Sequence, residues 1–337
     1  MGDNWISNDQ VIDLLYRAIL RRDPDEQGRK TFTSQLQQGR TLASIVQQFA
    51  SCDEFKRHSK LFVPPGHFYS PITDPAELDG HFVETDRQFR TQNLPGIRID
   101  LGEMTEEFNS FLPYLNDIPF EETPQSNLRY GFDNSAYSWG DGSVLYSMLR
   151  KYRPRRLIEI GSGWSSACSI DTIDRFLNDQ CELIFIEPYP QLLRELLGDA
   201  AERVTIYDKP DQKVDLSLFA TLEAGDFLFI DSTHIAKTGS DVCYELFQIL
   251  PALKRGVHVH FHDVFWPFEY PRKWAVEESR SWNELYLLRA FLYNNEEWKI
   301  TFFNDYFARF EAPLISSLHP DFLRNSGGAL WLQKCGI

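Results

Sequence analysis

Two short stretches of the 337-residue chain set ionisable side chains at the ends of apolar runs: DFLFIDSTH, residues 226–234, and VHVHFHD, residues 257–263. Asp231 and His234 follow the first run, and His262 and Asp263 follow the second. If the runs are adjacent parallel strands, all four side chains reach one rim of a sheet, where open α/β folds bind ligands. Carboxylates and imidazoles in that arrangement support two chemistries. Asp231 and Asp263, with His262 or His234, can hold a divalent cation that lowers the pKa of an acceptor hydroxyl. Alternatively, His234 or His262 is a general base that the aspartates orient.

A second constellation lies in RRLIEIGSGWSS, residues 155–166. Gly161 and Gly163 let backbone approach a ligand closely, and the helix start that follows supplies unpaired N–H groups. A dinucleotide site usually has a third glycine where this chain has Ser166. Glu159, two residues before the turn, would repel a pyrophosphate and suits a cationic amine. Glu187 ends the next apolar run, 28 residues after Glu159, where a carboxylate can accept both hydroxyls of a ribose. A ribose, an ammonium group and no phosphate describe S-adenosylmethionine better than NAD. An NAD-dependent oxidoreductase is further disfavoured because no separate substrate domain follows the sheet.

The elements that must position these residues are legible as alternating patterns. RRLIEI, CELIFIE, RVTIYD, DFLFID and VHVHFHD are short β-rich runs separated by helical stretches, the signature of a parallel sheet covered on both faces. WKITFFND and GGALWLQK add two terminal strands, one antiparallel. The fold class is therefore α/β, a Rossmann-like seven-stranded sheet, preceded by a small all-α module. His258 and His260 alternate with Val257, Val259 and Phe261 and are expected to be satisfied, partly buried histidines. Trp266, Phe268, Tyr270 and Trp274 form either a stacking wall for an acceptor or ordinary packing. Asn283, Glu284 and Arg289 read as polar groups on a helix surface.

The first 60 residues read as a helical module. Ser7 with Gln10 fits a capping box, and Val11, Leu14, Leu15, Ala18 and Ile19 fall on one helical face. A turn at RRDPDEQG, a helix over 29–37 and a third helix with Leu42, Ile45, Val46 and Phe49 on one face complete it. Residues 61–120 form an extended linker and an N-terminal extension of the catalytic domain, with Pro64, Pro65, Pro71 and Pro75 opposing regular structure and a helix predicted over 105–116. Residues 121–337 form the main domain.

Composition narrows the partners. Hydrophobic residues at 42% support a sizeable core, and 49 acidic against 34 basic residues give a net charge of -15 that disfavours nucleic acid. Five scattered cysteines form no CxxC pair and suggest reduced thiols. The polar N-terminus lacks a signal-peptide pattern, and no run of about 18 apolar residues provides a transmembrane segment. The expected location is cytoplasmic.

EIGSGWSS, FIEP, DFLFIDSTH and GVHVHFHD occur in the order of four motifs of the class I S-adenosylmethionine-dependent methyltransferases, and residues 121–337 resemble the branch called methyltransferase family 24. The resemblance implies a methyl donor bound by Glu159, Gly161, Gly163, Ser165 and Glu187, with Tyr189 near the adenosine and Asp231 beside them. Similar metal-dependent O-methyltransferases often carry a consecutive acidic pair where this chain has His262 and Asp263. His262 departs from that pattern: the resemblance implies Asp231, His262 and Asp263 as the candidate ligands of a divalent cation such as magnesium, and metal-free catalysis by histidine stays open beside it. Residues 8–56 carry Tyr-Arg, Arg-Asp-Pro-Asp, Gly and a terminal Glu-Phe. They resemble a helical module of unknown function found in bacterial secreted, surface-layer and phycobilisome-linker-like proteins, which implies a protein partner. Self-association into a homo-oligomer stays open. The expected activity is O-methylation of a saccharide or small polar metabolite, in surface-polysaccharide modification. The alternative is a catalytically silent scaffold with the same fold.

Overall fold

The computed structural model describes residues 7–55, 62–63, 65–178 and 180–336. The polar start at 1–6 and Pro64 of the proline-rich connection lie outside them. The chain divides into two compact units, Met1–Asp74 and Pro75–Ile337.

In the first unit Ser7 caps α1 (Asn8–Leu15) through the reciprocal box with Gln10 that the sequence predicts. A π-helical turn at Tyr16–Leu20 extends α1, and α2 (Glu26–Gln37) and α3 (Leu42–Ser51) follow. The buried face carries Ile12, Tyr16 and Leu20, joined by Ile45 and Phe49. The expected stripe is thus displaced: Leu14 is 55% exposed, and Leu15 and Ile19 only flank the core. The wide turn delays the helical rotation, so residues spaced by four share one face. On α3, Leu42 and Val46 stay exposed. The motif residues serve this packing. Arg22 bonds Glu54 and lies 4.9 Å over the Tyr16 ring, and Asp25 caps α2 by accepting from Gly28 N. A Cβ on Gly28 would come within 2.1 Å of the Tyr16 hydroxyl.

The second unit opens at the last proline of the proline-rich stretch, where regular structure resumes earlier than the composition predicts. A 3-10 turn at Pro75–Glu77 leads into α4 (Asp79–Gln88), which buries Phe82 and Thr85. Spacing of three is enough for one helical face, but two residues make a weak sequence signal. Next, α5 (Leu101–Leu115) buries Met104, Phe108, Phe111 and Leu115, and α6 (Trp139–Tyr152) is buried on nearly every side from Gly140 to Leu149.

The sheet has seven strands in the order β3-β2-β1-β4-β5-β7-β6. They are β1 (Arg156–Ile160), β2 (Glu182–Ile186), β3 (Thr205–Tyr207), β4 (Phe227–Ile230), β5 (His258–Phe261), β6 (Trp298–Phe303) and β7 (Leu330–Lys334). The first five are parallel, and β7 runs antiparallel to both β5 and β6. Strand order reverses between β1 and β4, which opens a crevice at their carboxyl ends. Helix α7 (Trp164–Phe176) starts there. Both faces of β5 are covered, so His258 and His260 are fully buried, not partly so. Each leaves its Nδ1 without a hydrogen-bond partner among the described residues. Burial pulls both imidazoles down, His258 to about 4, so they are neutral core rings. His260 stacks on Phe229 at 3.8 Å. All five cysteines are free, and among the described residues no helix is long and apolar enough to cross a membrane.

Candidate functional site

The crevice is built by register. Ile160 of β1 pairs with Ile230 of β4, which sets Gly161 against Asp231. Gly161 has φ +73°, and a Cβ there would stand 1.8 Å from the Asp231 carbonyl oxygen. Both the left-handed backbone and the close approach demand glycine. At Gly163 the nearest atom to an added Cβ is Leu192 Cδ2 at 3.7 Å, so that glycine borders open space.

Glu187, at the end of β2, ties the turn to its neighbour: Ser162 N donates to Oε2 at 3.1 Å and Tyr189 N to Oε1 at 2.8 Å. A cleft of about 190 Å³ is lined by Tyr137, residues 161–165, Glu187, Leu192 and Asp231. A larger hollow of about 440 Å³, by Arg155, Asp174, Glu182 and Arg203, lies at the opposite strand ends, away from where such sheets bind ligands.

Glu159 does not line the cleft. It is fully buried beneath the turn, where Ser165 and Ser166 donate to its Oε1 at 2.6 and 2.8 Å. Its Oε2 meets no donor among the described residues. Burial pushes this carboxyl up to about 8, although the two serine hydroxyls pull the other way. The Tyr189 ring is 78% exposed and also outside the cleft lining.

On the β4 and β5 side, Ile230 pairs with Phe261, so Asp231 and His262 emerge side by side. His234 (φ 60°) and Asp263 (φ 57°) both adopt left-handed backbone, a conformation few residues hold without surrounding support. The four side chains converge. His234 Nε2 lies 3.4 Å from Asp231 Oδ1 and 3.5 Å from Asp263 Oδ2. His262 Nδ1 lies 3.5 Å from Asp231 Oδ1 and 3.6 Å from Asp263 Oδ1. Ligand atoms of Asp231, His262 and Asp263 fall within 4.8 Å of one another. Asp231 therefore belongs to both the cleft and the cluster.

Two further carboxylates stand behind the imidazoles: Glu284 Oε2 at 2.8 Å from His234 Nδ1, and Asp141 Oδ2 at 3.2 Å from His262 Nε2. Burial opposes ionisation throughout, but at Asp231 the two histidines outweigh it and hold the carboxyl below its usual range. For His234 the carboxylates of Asp231 and Glu284 likewise outweigh burial and push the imidazole up to about 10.

Asn283 and Glu284 are thus not surface groups. The Asn283 side chain clamps Ala236, its N–H and that of Glu284 donate to the His234 carbonyl, and Glu284 is buried at the start of α8 (Glu284–Leu292). Arg289 stays partly exposed. Both Asp141 and Glu284 carried a readable signal: each precedes buried residues at offsets of four and eight, Leu145 and Leu149 or Leu288 and Leu292, which puts a carboxylate on an apolar helical stripe.

The aromatic loop divides. Trp266, Phe268 and Tyr270 are core residues, because their rings pack inward against Phe303, Tyr306 and Trp282. Trp274 is half-buried, and Trp282 lies 4.4 Å from the His234 ring. The Arg280 guanidinium sits over both indoles, at 4.2 and 4.6 Å.

Residues 158–264 match the model of a methyltransferase domain, and residues 2–59 match that of a domain of unknown function. An uncharacterized protein of Archaeoglobus fulgidus is 36% identical over 168 residues, 49% of this chain and 75% of that protein. The fold is similar to that of a Podospora anserina methyltransferase solved with S-adenosylhomocysteine, at 14% identity over 81% of this chain and 99% of that one, TM-score 0.39. It is also similar to a Streptomyces achromogenes O-methyltransferase of tomaymycin synthesis solved with S-adenosylmethionine, at 14% identity over 77% and 96%, TM-score 0.38. By the first of these matches residues 158–264 are a methyltransferase domain.

Proposed function

We propose that the protein is an O-methyltransferase acting on a hydroxyl of a saccharide or small polar metabolite. In this reading residues 121–337 form the catalytic domain, residues 61–120 its linker and extension, and residues 1–60 an interaction module. The observation that carries it is the dual position of Asp231, which lines the glycine-turn cleft and faces the His/Asp cluster. A donor in the cleft and an acceptor at the cluster then meet at one carboxylate, and alignment supplies much of what methyl transfer needs.

The residues fit the donor. Glu187, on the cleft lining, would accept ribose hydroxyls, and Gly161 and Gly163 give the backbone room. S-adenosylmethionine supplies a methyl group already activated on a sulfonium. Asp231, His262 and Asp263 suit a divalent cation, since oxygen and imidazole donors converge there, and such an ion eases ionisation of a hydroxyl. Trp282, 4.4 Å from the His234 ring, offers an aromatic surface beside the site that suits the apolar face of a sugar ring. The saccharide, and a place in surface-polysaccharide modification, rest on the family resemblance.

The test is transfer of a labelled methyl group from S-adenosylmethionine to a panel of mono- and oligosaccharides and small polyols, with the methylated atom located by NMR. An ether methyl on a hydroxyl carbon is expected. Methylation confined to amines or carboxylates would sink the reading.

A further inference from the structure

We propose that Asn134 is a positioning residue for the methyl donor: it staples the loop of residues 131–137 into the wall of the glycine-turn cleft. The inference rests on the donor reading of that cleft given above and deepens it, because this wall comes from chain that precedes residue 158, where the matched domain begins.

Ala136 and Tyr137 line the cleft, and no helix or strand carries them. Backbone outside regular structure has no ladder to satisfy its N–H and C=O groups, so its shape depends on side chains or water. Here one side chain does most of it. Asn134 Oδ1 accepts from Ala136 N at 3.1 Å and from Tyr137 N at 2.7 Å, and its Nδ2 donates to Tyr137 O at 2.8 Å and to Gly131 O at 2.9 Å. A carboxamide has two donor hydrogens and two acceptor lone pairs, and all four are in use. Three of the four bonds end on the two residues that line the cleft.

The fourth bond closes the loop. The chain around Gly131 is fixed independently: Phe132 N donates to Glu121 O at 2.8 Å and Asp133 N to Glu122 O at 2.7 Å, and a Cβ on Gly131 would stand 2.6 Å from Pro124 N. By joining Gly131 O to Tyr137 O, Asn134 ties the cleft wall to that fixed end. Tyr137 anchors the other end. Its ring is buried, 5.2 Å from the His262 ring and 5.6 Å from that of Phe229, and its carbonyl also accepts from the buried Tyr130 hydroxyl at 2.7 Å. None of these anchors passes through Asn134, so its loss should loosen the wall and leave the core packed.

The residue type agrees. An aspartate side chain would keep the acceptor but turn a carboxylate oxygen toward the carbonyls of Gly131 and Tyr137, so closing the loop requires the amide. A wall ordered before binding spares the ligand the entropy of ordering it.

The test uses the full-length protein. Calorimetry with S-adenosylhomocysteine is run on the parent, Asn134→Ala and Asn134→Asp, beside thermal unfolding without ligand and amide hydrogen exchange over residues 131–137 with and without it. Both variants are expected to melt within a few degrees of the parent and to bind at least about tenfold more weakly. Exchange at Ala136 and Tyr137 should quicken in the variants and slow again at saturating ligand, a local and ligand-linked change that a purely structural residue would not produce. Affinity within about twofold of the parent in a folded variant overturns the inference. Exchange that quickens across the whole domain, or failure of both variants to fold, makes Asn134 a residue of the fold and overturns it too. Failure of the parent itself to bind S-adenosylhomocysteine sinks the donor reading and this inference with it.

Discussion

His262 Nε2 lies 3.2 Å from Asp141 Oδ2, joining the end of β5 to a helix that begins more than a hundred residues earlier. Asp141 also holds Asn304 and the two N–H groups that lead into β7. Gly327 sits so close that a Cβ would meet the carboxylate at 2.0 Å. One buried carboxylate thus fixes a histidine of the site and the antiparallel strand beside it.

Asp141→Ala should therefore lower stability by about 3–5 kcal/mol, the usual cost of removing one partner from a buried charged network. Thermal unfolding is the check. A loss below about 1 kcal/mol would mean that water replaces the carboxylate without strain, and that Asp141 does not organise β7.

The strands were legible because each is a short apolar run with a polar end, and the glycine turn because its spacing has few other uses. That Asp141 and Glu284 are buried could be read from their apolar stripes, but which histidine each meets could not. Glu284 lies 50 residues from His234, and only the packing of α8 over the β4 loop makes them neighbours. Read alone, SWNELYLLRAFL looks like a helix with a polar surface, although Glu284 shares its stripe with Leu288 and Leu292. The same tertiary dependence explains why Trp266, Phe268 and Tyr270 turned inward while Trp282 took the place beside the site.

Gly161→Ala and Gly163→Ala should separate fold from binding. At Gly161 the added Cβ meets backbone at 1.8 Å in a left-handed turn, so the variant should lose at least about 2 kcal/mol of stability and its affinity for S-adenosylhomocysteine. At Gly163 the Cβ enters space bounded only by Leu192. That variant should melt within a few degrees of the parent yet bind the nucleoside more weakly. Equal melting temperatures for the two would contradict the geometry.

Stability should depend on pH through Glu159. Its carboxyl stands at about 8, raised by burial above its ordinary range, so it is mostly neutral at pH 7. An unfolded chain ionises it at lower pH, so stability falls as pH rises from about 4.5 toward 8. Thermal unfolding across that range is the check. Glu159→Gln should flatten the fall; an unchanged slope in that variant would assign the effect to another group.

Glu187 and Asp263 should divide the work between binding and transfer. Glu187 accepts two backbone N–H groups that shape the glycine turn, and in the proposed function it also accepts the ribose. Glu187→Ala should weaken S-adenosylhomocysteine binding by about 10–100-fold, equivalent to ~1.5–3 kcal/mol for hydrogen bonds to a charged group. Asp263 stands on the far side of Asp231, in left-handed backbone that asparagine tolerates. Asp263→Asn should keep nucleoside affinity within about threefold and melt near the parent, yet reduce turnover by roughly 100-fold or more, because it removes a charge from the acceptor side alone. Weakened nucleoside binding in a folded Asp263→Asn variant, with turnover at saturating donor intact, would move Asp263 to the donor side and reverse the assignment.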